Sequence, residues 1–292
     1  MAVSPQRVLL LPERRYFTGQ GFSPVVYGQV RRFSHEQGIA GETAQLQRHF
    51  QCMPASWPMA ALCRQQAAGD ATDSCWLFAD AIHLQMEMRD ARIMGWDNLD
   101  VTDAECHAMA MALAPVFNDS GLELLMSSEL RLYVRTASDT ILPEFMPAPD
   151  MLGRTLSDHL PGDRMWSALF NECQIILYNH PLNVERQRGG KATINGLWFW
   201  GQGQRPAEVR HAFGQIESQA ADILALAHHG QTKPEASLAT LFDLRQARDW
   251  KQVESRFDST LECLFDFADG TLWRWKPSDR WRFWRRQSLG FG

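Results

Sequence analysis

The stretch NHPLNVERQRGGKATINGLWFWGQG, Asn179 to Gly203, is the part of the chain on which the fold turns. It sets His, Asn and Arg at short spacings, then paired glycines and a lysine, then Trp and Phe closed by Gly201 and Gly203. Trp198 and Trp200 stand two residues apart, so a strand puts them on one face. Core packing or an interface accounts for them better than a base-stacking platform. His180, Asn183, Arg186, Arg188, Lys191 and Asn195 offer donors to a small anion, because Arg and Lys recognise phosphate or carboxylate and Asn fixes orientation. The same residues suit local structure: His180-Pro181 ends a helix, Asn183 caps the next turn, and Asn195 shapes a strand edge with the two glycines.

Upstream, Trp166, Leu169, Phe170, Cys173, Ile176 and Leu177 fall on one helical face with Asp163 near its start. Thr102 and Glu105 have capping-box spacing, so a helix begins near Asp103 and runs to Gly121. CWLFADAIHLQM and ARIMGWD predict a hairpin, and LELLM and LRLYVRT two more strands. The prolines of ILPEFMPAPDMLGR exclude regular pairing. Val8 to Leu11 reads as a strand, with helices near Glu42 to Cys52 and Met59 to Ala68. Downstream, SQAADILALAHHG reads as a helix with Gly230 at its C′ position. A further helix is expected near Leu238 to Phe257, then a hairpin turning at Asp269-Gly270. The expected class is α/β or mixed α+β, a mixed sheet with flanking helices. Three regions are drawn: 1–75 irregular and helical, 76–205 an α/β domain, and 206–292 helices, hairpin and a basic aromatic tail.

A chain of 292 residues, 45% hydrophobic, is long enough to bury a core without staples. The six cysteines form no C-x-x-C pair and read as reduced thiols of a cytoplasmic protein. The N-terminal apolar run is shorter than the roughly 7 to 15 residues of a secretory core. AMAMALAPVF falls well short of the ~20 residues that span a bilayer. With a net charge of −5, nucleic acid is not an expected partner. The charge is uneven, however. Arg274, Lys276, Arg282, Arg285 and Arg286 interleave with Trp273, Trp275, Trp281 and Trp284, a pattern that can serve an anionic surface. Trp273 and Trp275 against Arg274 and Lys276 is also the alternation of a half-buried strand.

Catalytic signatures are absent. GGKAT has Glu185 where a phosphate loop needs its first Gly, and GQGQRP lacks the third Gly of a dinucleotide fingerprint. There is no G-x-S-x-G and no H-E-x-x-H, and adjacent His228 and His229 point about 100° apart on a helix. No catalytic residue, metal ligand or cofactor is assigned.

The opening stretch resembles the H-P-x-N-x-x-R … G … N-x-(I/L)-W-x-W-G-x-G segment of archaeal-type, cofactor-independent phosphoglycerate mutases. VTDAECHAMAMALAPVFNDSGLELL followed by LRLYVR is similar to that family's helix, Gly and Y-R strand. ESQAADILALAHHG sits where the family has a helix ending in Gly. The resemblance covers residues 76 to 230 and is most specific at Asn179–Gly203.

It implies an alkaline-phosphatase-like core with two divalent metals and a Ser or Thr nucleophile, and a lid to which the matched segment belongs. The core motifs depart: VLLLPERRYF has Pro12, Glu13 and Arg14 where Asp-Gly is expected. No Ser-Asp follows in an Asn-Leu context, and no Asp-Glu-x-Gly-His stands near the C-terminus. CWLFADAIHL and SDRWRFWRRQSL also resemble bacterial proteins described as mutase-like or as regulators of the pathogenicity-factor (Rpf) cluster.

The expectation is a non-catalytic, mutase-like bacterial protein that regulates or senses a small anionic metabolite near His180 to Lys191. A protein partner or a second copy of the chain is compatible with it. The first alternative is an active metal-dependent mutase, with Asp73, Asp80, Asp90, Asp97, Asp100 and Asp103 as the carboxylate supply. The second is an interaction protein using its basic tail.

Overall fold

The computed structural model describes residues 6–21, 23, 29, 31–232 and 239–281. In chain order the first elements are β1 (Gln6–Leu11), β2 (Ser34–Gln37), α1 (Glu42–Gln47), β3 (Gln51–Met53) and α2 (Met59–Ala68). Next come β4 (Ser74–Met86), β5 (Ala91–Gly95), α3 (Asp103–Asp119), β6 (Glu123–Met126) and β7 (Leu132–Ala137). The middle continues with α4 (Ala148–Met151), α5 (Arg164–Tyr178), α6 (Leu182–Arg188) and β8 (Gly196–Gly203). Last are β9 (Glu208–His211), β10 (Gln215–Glu217), α7 (Ala221–His228), β11 (Gly230–Thr232), β12 (Thr240–Asp243), α8 (Trp250–Glu254), β13 (Glu262–Phe267) and β14 (Thr271–Trp275). The class is mixed α/β, and no helix among the described residues is long and apolar enough to cross a membrane.

The chain forms two units, one from Met1–Met53 with Glu208–Gly292 and a central one from Pro54–Ala207. In the terminal unit a six-stranded sheet runs β10-β12-β1-β13-β14-β2. The first four strands are parallel and the last two pairs antiparallel, so the sheet is mixed. The near-continuous apolar runs of β1 and β13 suit parallel strands covered on both faces. Leu9, Leu11, Phe265 and Phe267 pack with Trp250, Trp273 and Trp275 into one apolar cluster. Trp273 and Trp275 do point inward from β14, as their alternation requires. A second sheet is ordered β11-β9-β3.

Residues 1–75 and 206–292, which local patterns keep apart, thus contribute to one sheet. The reason is that β1 finds its neighbours, β12 and β13, more than 200 positions away. The helix expected over Leu238 to Phe257 is instead β12 followed by the short α8, because the apolar run of Thr240–Asp243 pairs in parallel with β1. The helix expected to reach Cys52 ends at Gln47, and Cys52 lies in β3, which pairs with β9.

In the central unit β4 is the axis: it pairs antiparallel with β8, with β7 over its first residues and with β5 over its last. Helix α3 starts at the expected capping box, where Thr102 Oγ1 accepts from Glu105 N and Glu105 Oε2 accepts from Thr102 N. Helix α5 is capped by Asp163 and buries Trp166, Leu169, Phe170, Cys173 and Leu177. Phe199 of β8 stacks edge-on to Phe117 of α3 and Trp166 of α5, which fixes both helices on one sheet face. All six cysteines are free and buried. Arg282, Arg285 and Arg286 lie outside the described residues.

Candidate functional site

Helix α6 and the chain leading into β8 carry the residues expected to hold an anion. Three of the six are consumed internally. Asn183 is buried, its amide donating to Leu177 O and Ile194 O while its Oδ1 accepts from Ile194 N. Asn195 bonds both backbone groups of Leu84, extending the β4–β8 ladder by one side chain. Arg186 is 2% exposed and donates to Ala192 O, Leu99 O and the Glu105 carboxylate. These side chains satisfy backbone groups that burial would otherwise leave unpaired. His180 Nδ1 accepts from Leu182 N, so it shapes the entry to α6. Arg188 forms an exposed pair with Glu185, and Lys191 donates to Asp100 O at the surface.

In open α/β sheets, ligands bind outside the carboxyl ends of the strands. That edge of the terminal unit is therefore where a metal centre of the kind implied by the resemblance would be built. Asp243 of β12 and Asp266 of β13 both stand in register with Leu10, one strand to either side of it. Two strand spacings separate their backbones by about 10 Å. Asp266 is fully buried and accepts from Arg48 through both carboxylate oxygens, at 2.5 and 2.9 Å, with His49 Nε2 at 2.7 Å. Gln45 of α1 donates to Leu11 O and Asp266 O, closing the strand ends beneath them. Asp243 and Asp222 share Arg245, at 2.9 Å each, and Ser218 Oγ donates to Asp243. Burial opposes the Arg245 charge, but Asp222 and Asp243 outweigh it and hold the guanidinium firmly protonated. Asp269 takes Arg14 Nε at 2.9 Å. Burial pushes its carboxyl up, yet the bonds from Arg14 and Thr271 bring it below the usual range.

Among the described residues at this edge, Asp222, Asp243, Asp266 and Asp269 are thus each paired with an arginine. Two divalent ions ~3.5 to 4 Å apart need carboxylates and imidazoles converging on them. Among the described residues no three His, Cys, Asp or Glu side chains form such a group. The donor set does not fit a two-metal centre.

The Asp73 to Asp103 series is dispersed as well. Asp73 and Asp100 occupy left-handed turn positions, Asp90 binds Ser157 and Ala91 N, and Asp103 opens α3. Asp80 is different, and its role was invisible in the sequence. It is 6% exposed in the middle of β4 and accepts four bonds: Arg131 Nε at 2.7 Å, Arg131 Nη2 at 2.6 Å, Trp96 Nε1 at 2.8 Å and Trp200 Nε1 at 2.6 Å. Trp198, by contrast, packs on Phe145 and Phe170 and donates to Met146 O. In the C-terminal segment Arg274 pairs with Glu262 at 3.0 Å, and Lys276 is exposed.

No family model matches the chain. The 2,3-bisphosphoglycerate-independent phosphoglycerate mutase of Methanosarcina barkeri is 36% identical over 66 residues, 22% of this chain and 17% of that protein. A second such mutase, from Methanothermobacter thermautotrophicus, is 25% identical over 122 residues, 40% of this chain and 30% of that protein. The match therefore spans less than a third of the length of either relative. The solved cofactor-independent phosphoglycerate mutase of Thermoplasma acidophilum aligns with 93% of this chain and 89% of its own, at 12% identity and a TM-score of 0.39. By partial homology, this chain is a relative of the cofactor-independent phosphoglycerate mutases.

Proposed function

We infer that the protein is a non-catalytic phosphoglycerate mutase-like protein with a regulatory role, exercised by sensing a small anion. The Rpf-type bacterial group, which it resembles at CWLFADAIHL and SDRWRFWRRQSL, offers a setting for such a role. The observation that carries this reading is the arginine pairing of the carboxylates at the carboxyl edge of the sheet, Asp266 with Arg48 above all. A cation entering there has to displace Arg48 from a fully buried carboxylate. The entering ion has to replace both guanidinium bonds, because a buried carboxylate stripped of its partner and left uncompensated costs about 3–5 kcal/mol. Without the Lewis acid, phosphoryl transfer loses its main source of charge stabilisation. The test is phosphoglycerate mutase turnover by the full chain with manganese or magnesium supplied. No metal-dependent turnover above the background of a Ser218→Ala, Asp243→Asn double variant is expected, and appreciable metal-dependent activity sinks the reading.

A further inference from the structure

We propose that the β3–β9 ladder of the terminal unit is a pH-sensitive switch: protonation of His211 on its buried face opens the ladder while the six-stranded sheet stays folded. None of the residues involved belongs to the anion-sensing segment. The chain passes between its two units at 53–54 and at 207–208, beside the last register pair of this ladder, Met53 with Glu208. Both crossings therefore leave from the strands that open.

Alternation along β3 and β9 gives their pair one outer and one buried face. Gln51, Met53, Glu208 and Arg210 take the outer face, where Glu208 and Arg210 pair at 2.8 Å. Cys52, Val209 and His211 take the other and are buried, as is Phe50, one residue before β3. Aromatic rings enclose the His211 imidazole: Phe213 is stacked at 6.0 Å and Phe50 tilted at 5.6 Å. The imidazole also lies against the backbone of Gly230, where a Cβ would come within 2.3 Å of its Cδ2 and Nε2.

His211 Nδ1 accepts from Phe213 N, so the neutral ring carries its proton on Nε2. A second proton has to go onto Nδ1. It turns the acceptor into a donor facing an N–H and puts a charge among apolar side chains. Among the described residues no carboxylate bonds His211 to offset that charge. The Cys52 thiol on the same face stays neutral, pushed up to about 11 by burial. Glu208 and Arg210 are turned away and engaged with each other. His49, its ring 5.9 Å from Phe213, is bonded to Asp266 at 2.7 Å, and Arg48 holds the same carboxylate. At the end of α7 stand His228 and His229, and His229 O accepts from Val209 N. Burial accordingly pushes His211 below 6.5. Strands of three and four residues have few bonds with which to resist the charge, whereas β1 and β13 are anchored by Leu9, Leu11, Phe265 and Phe267 in the apolar cluster. Units of such unequal stability open separately.

The experiment is amide hydrogen exchange of the full chain between about pH 7.5 and pH 5, corrected for the pH dependence of exchange in an unstructured peptide. Because the open ladder takes the proton first, protection of β3 and β9 is expected to fall by up to about tenfold per pH unit below about pH 6.5, levelling off below the folded value. Protection of β1 and β13 is expected to hold over the same range. His211→Gln keeps an acceptor for Phe213 N but does not titrate, and removes the pH dependence of the ladder. His49→Gln, which alters the other imidazole beside Phe213, leaves that dependence in place. Ladder protection that does not change with pH, or that changes equally in His211→Gln, overturns the switch. Loss of protection in β1 in step with β9 overturns it too, since the unit then unfolds as a whole. Should His211→Gln not fold, the His211 ring resonances of the unaltered chain decide: titration below 6.5 supports the switch, and titration at or above it overturns it.

Discussion

At the scale of single residues, Gly230 shows how a side chain can be excluded by a partner distant in sequence. A Cβ there would lie 2.3 Å from Cδ2 and Nε2 of His211 and 3.0 Å from Leu226 O. Gly230→Ala is predicted to cost about 1–3 kcal/mol by overpacking, read as a shift of the urea midpoint. His211→Ala added to it should return part of that loss, because the two positions are coupled. His211 itself is buried, its Nδ1 accepts from Phe213 N, and burial pushes its pKa below 6.5. The unfolded chain then binds the proton first. Stability is full above about pH 6.5 and is lost as the pH falls from there through the folded value. His211→Phe should flatten that part of the pH profile. The sequence placed Gly230 correctly after a helix but for the wrong reason, since its φ is not left-handed. Similarly, Asn183, Arg186 and Asn195 were conspicuous as polar residues. Their partners Ile194, Leu99 and Leu84 lie up to 111 positions away and carry no local signal.

At the scale of elements, helix α3 gives the cleanest test of local coding. Thr102→Ala should remove one side of its capping box and cost about 1 kcal/mol, read by chemical denaturation. Glu105 does more, since it also accepts from Arg186 Nη1 at 2.9 Å. Burial raises its pKa, but the bonds from Thr102 and Arg186 win and lower it. Its contribution is present above the unfolded pKa and lost as pH falls through the folded one. Glu105→Ala, which leaves Arg186 buried without its carboxylate, should therefore cost more than Thr102→Ala. Helices α2 and α3 and the β13–β14 hairpin were legible because their signals lie within one turn or one strand length. Strands β9, β10 and β12 are three or four residues long and exist through partners elsewhere in the chain.

At the scale of the molecule, β1 lies between β12 and β13, so the terminal unit needs both ends of the chain. Truncation before Glu262 should abolish hydrogen-exchange protection in β1 while α3, in the central unit, keeps its own. The mutase kinship was legible in the sequence, whose resemblance to that family was drawn most specifically at Asn179–Gly203. The carboxyl edge was not, because Asp243 and Asp266 stand in motif-free sequence, and Arg48 lies 218 positions from the Asp266 it pairs with. That pairing is the central claim, and manganese binding tests it most directly. Electron paramagnetic resonance of the full chain titrated with Mn²⁺ should show no stoichiometric site and a spectrum that stays that of the free ion. Two tightly bound, spin-coupled manganese ions per chain would contradict it, since that coupling requires the paired carboxylate centre whose acids Arg48 and Arg245 are held to occupy.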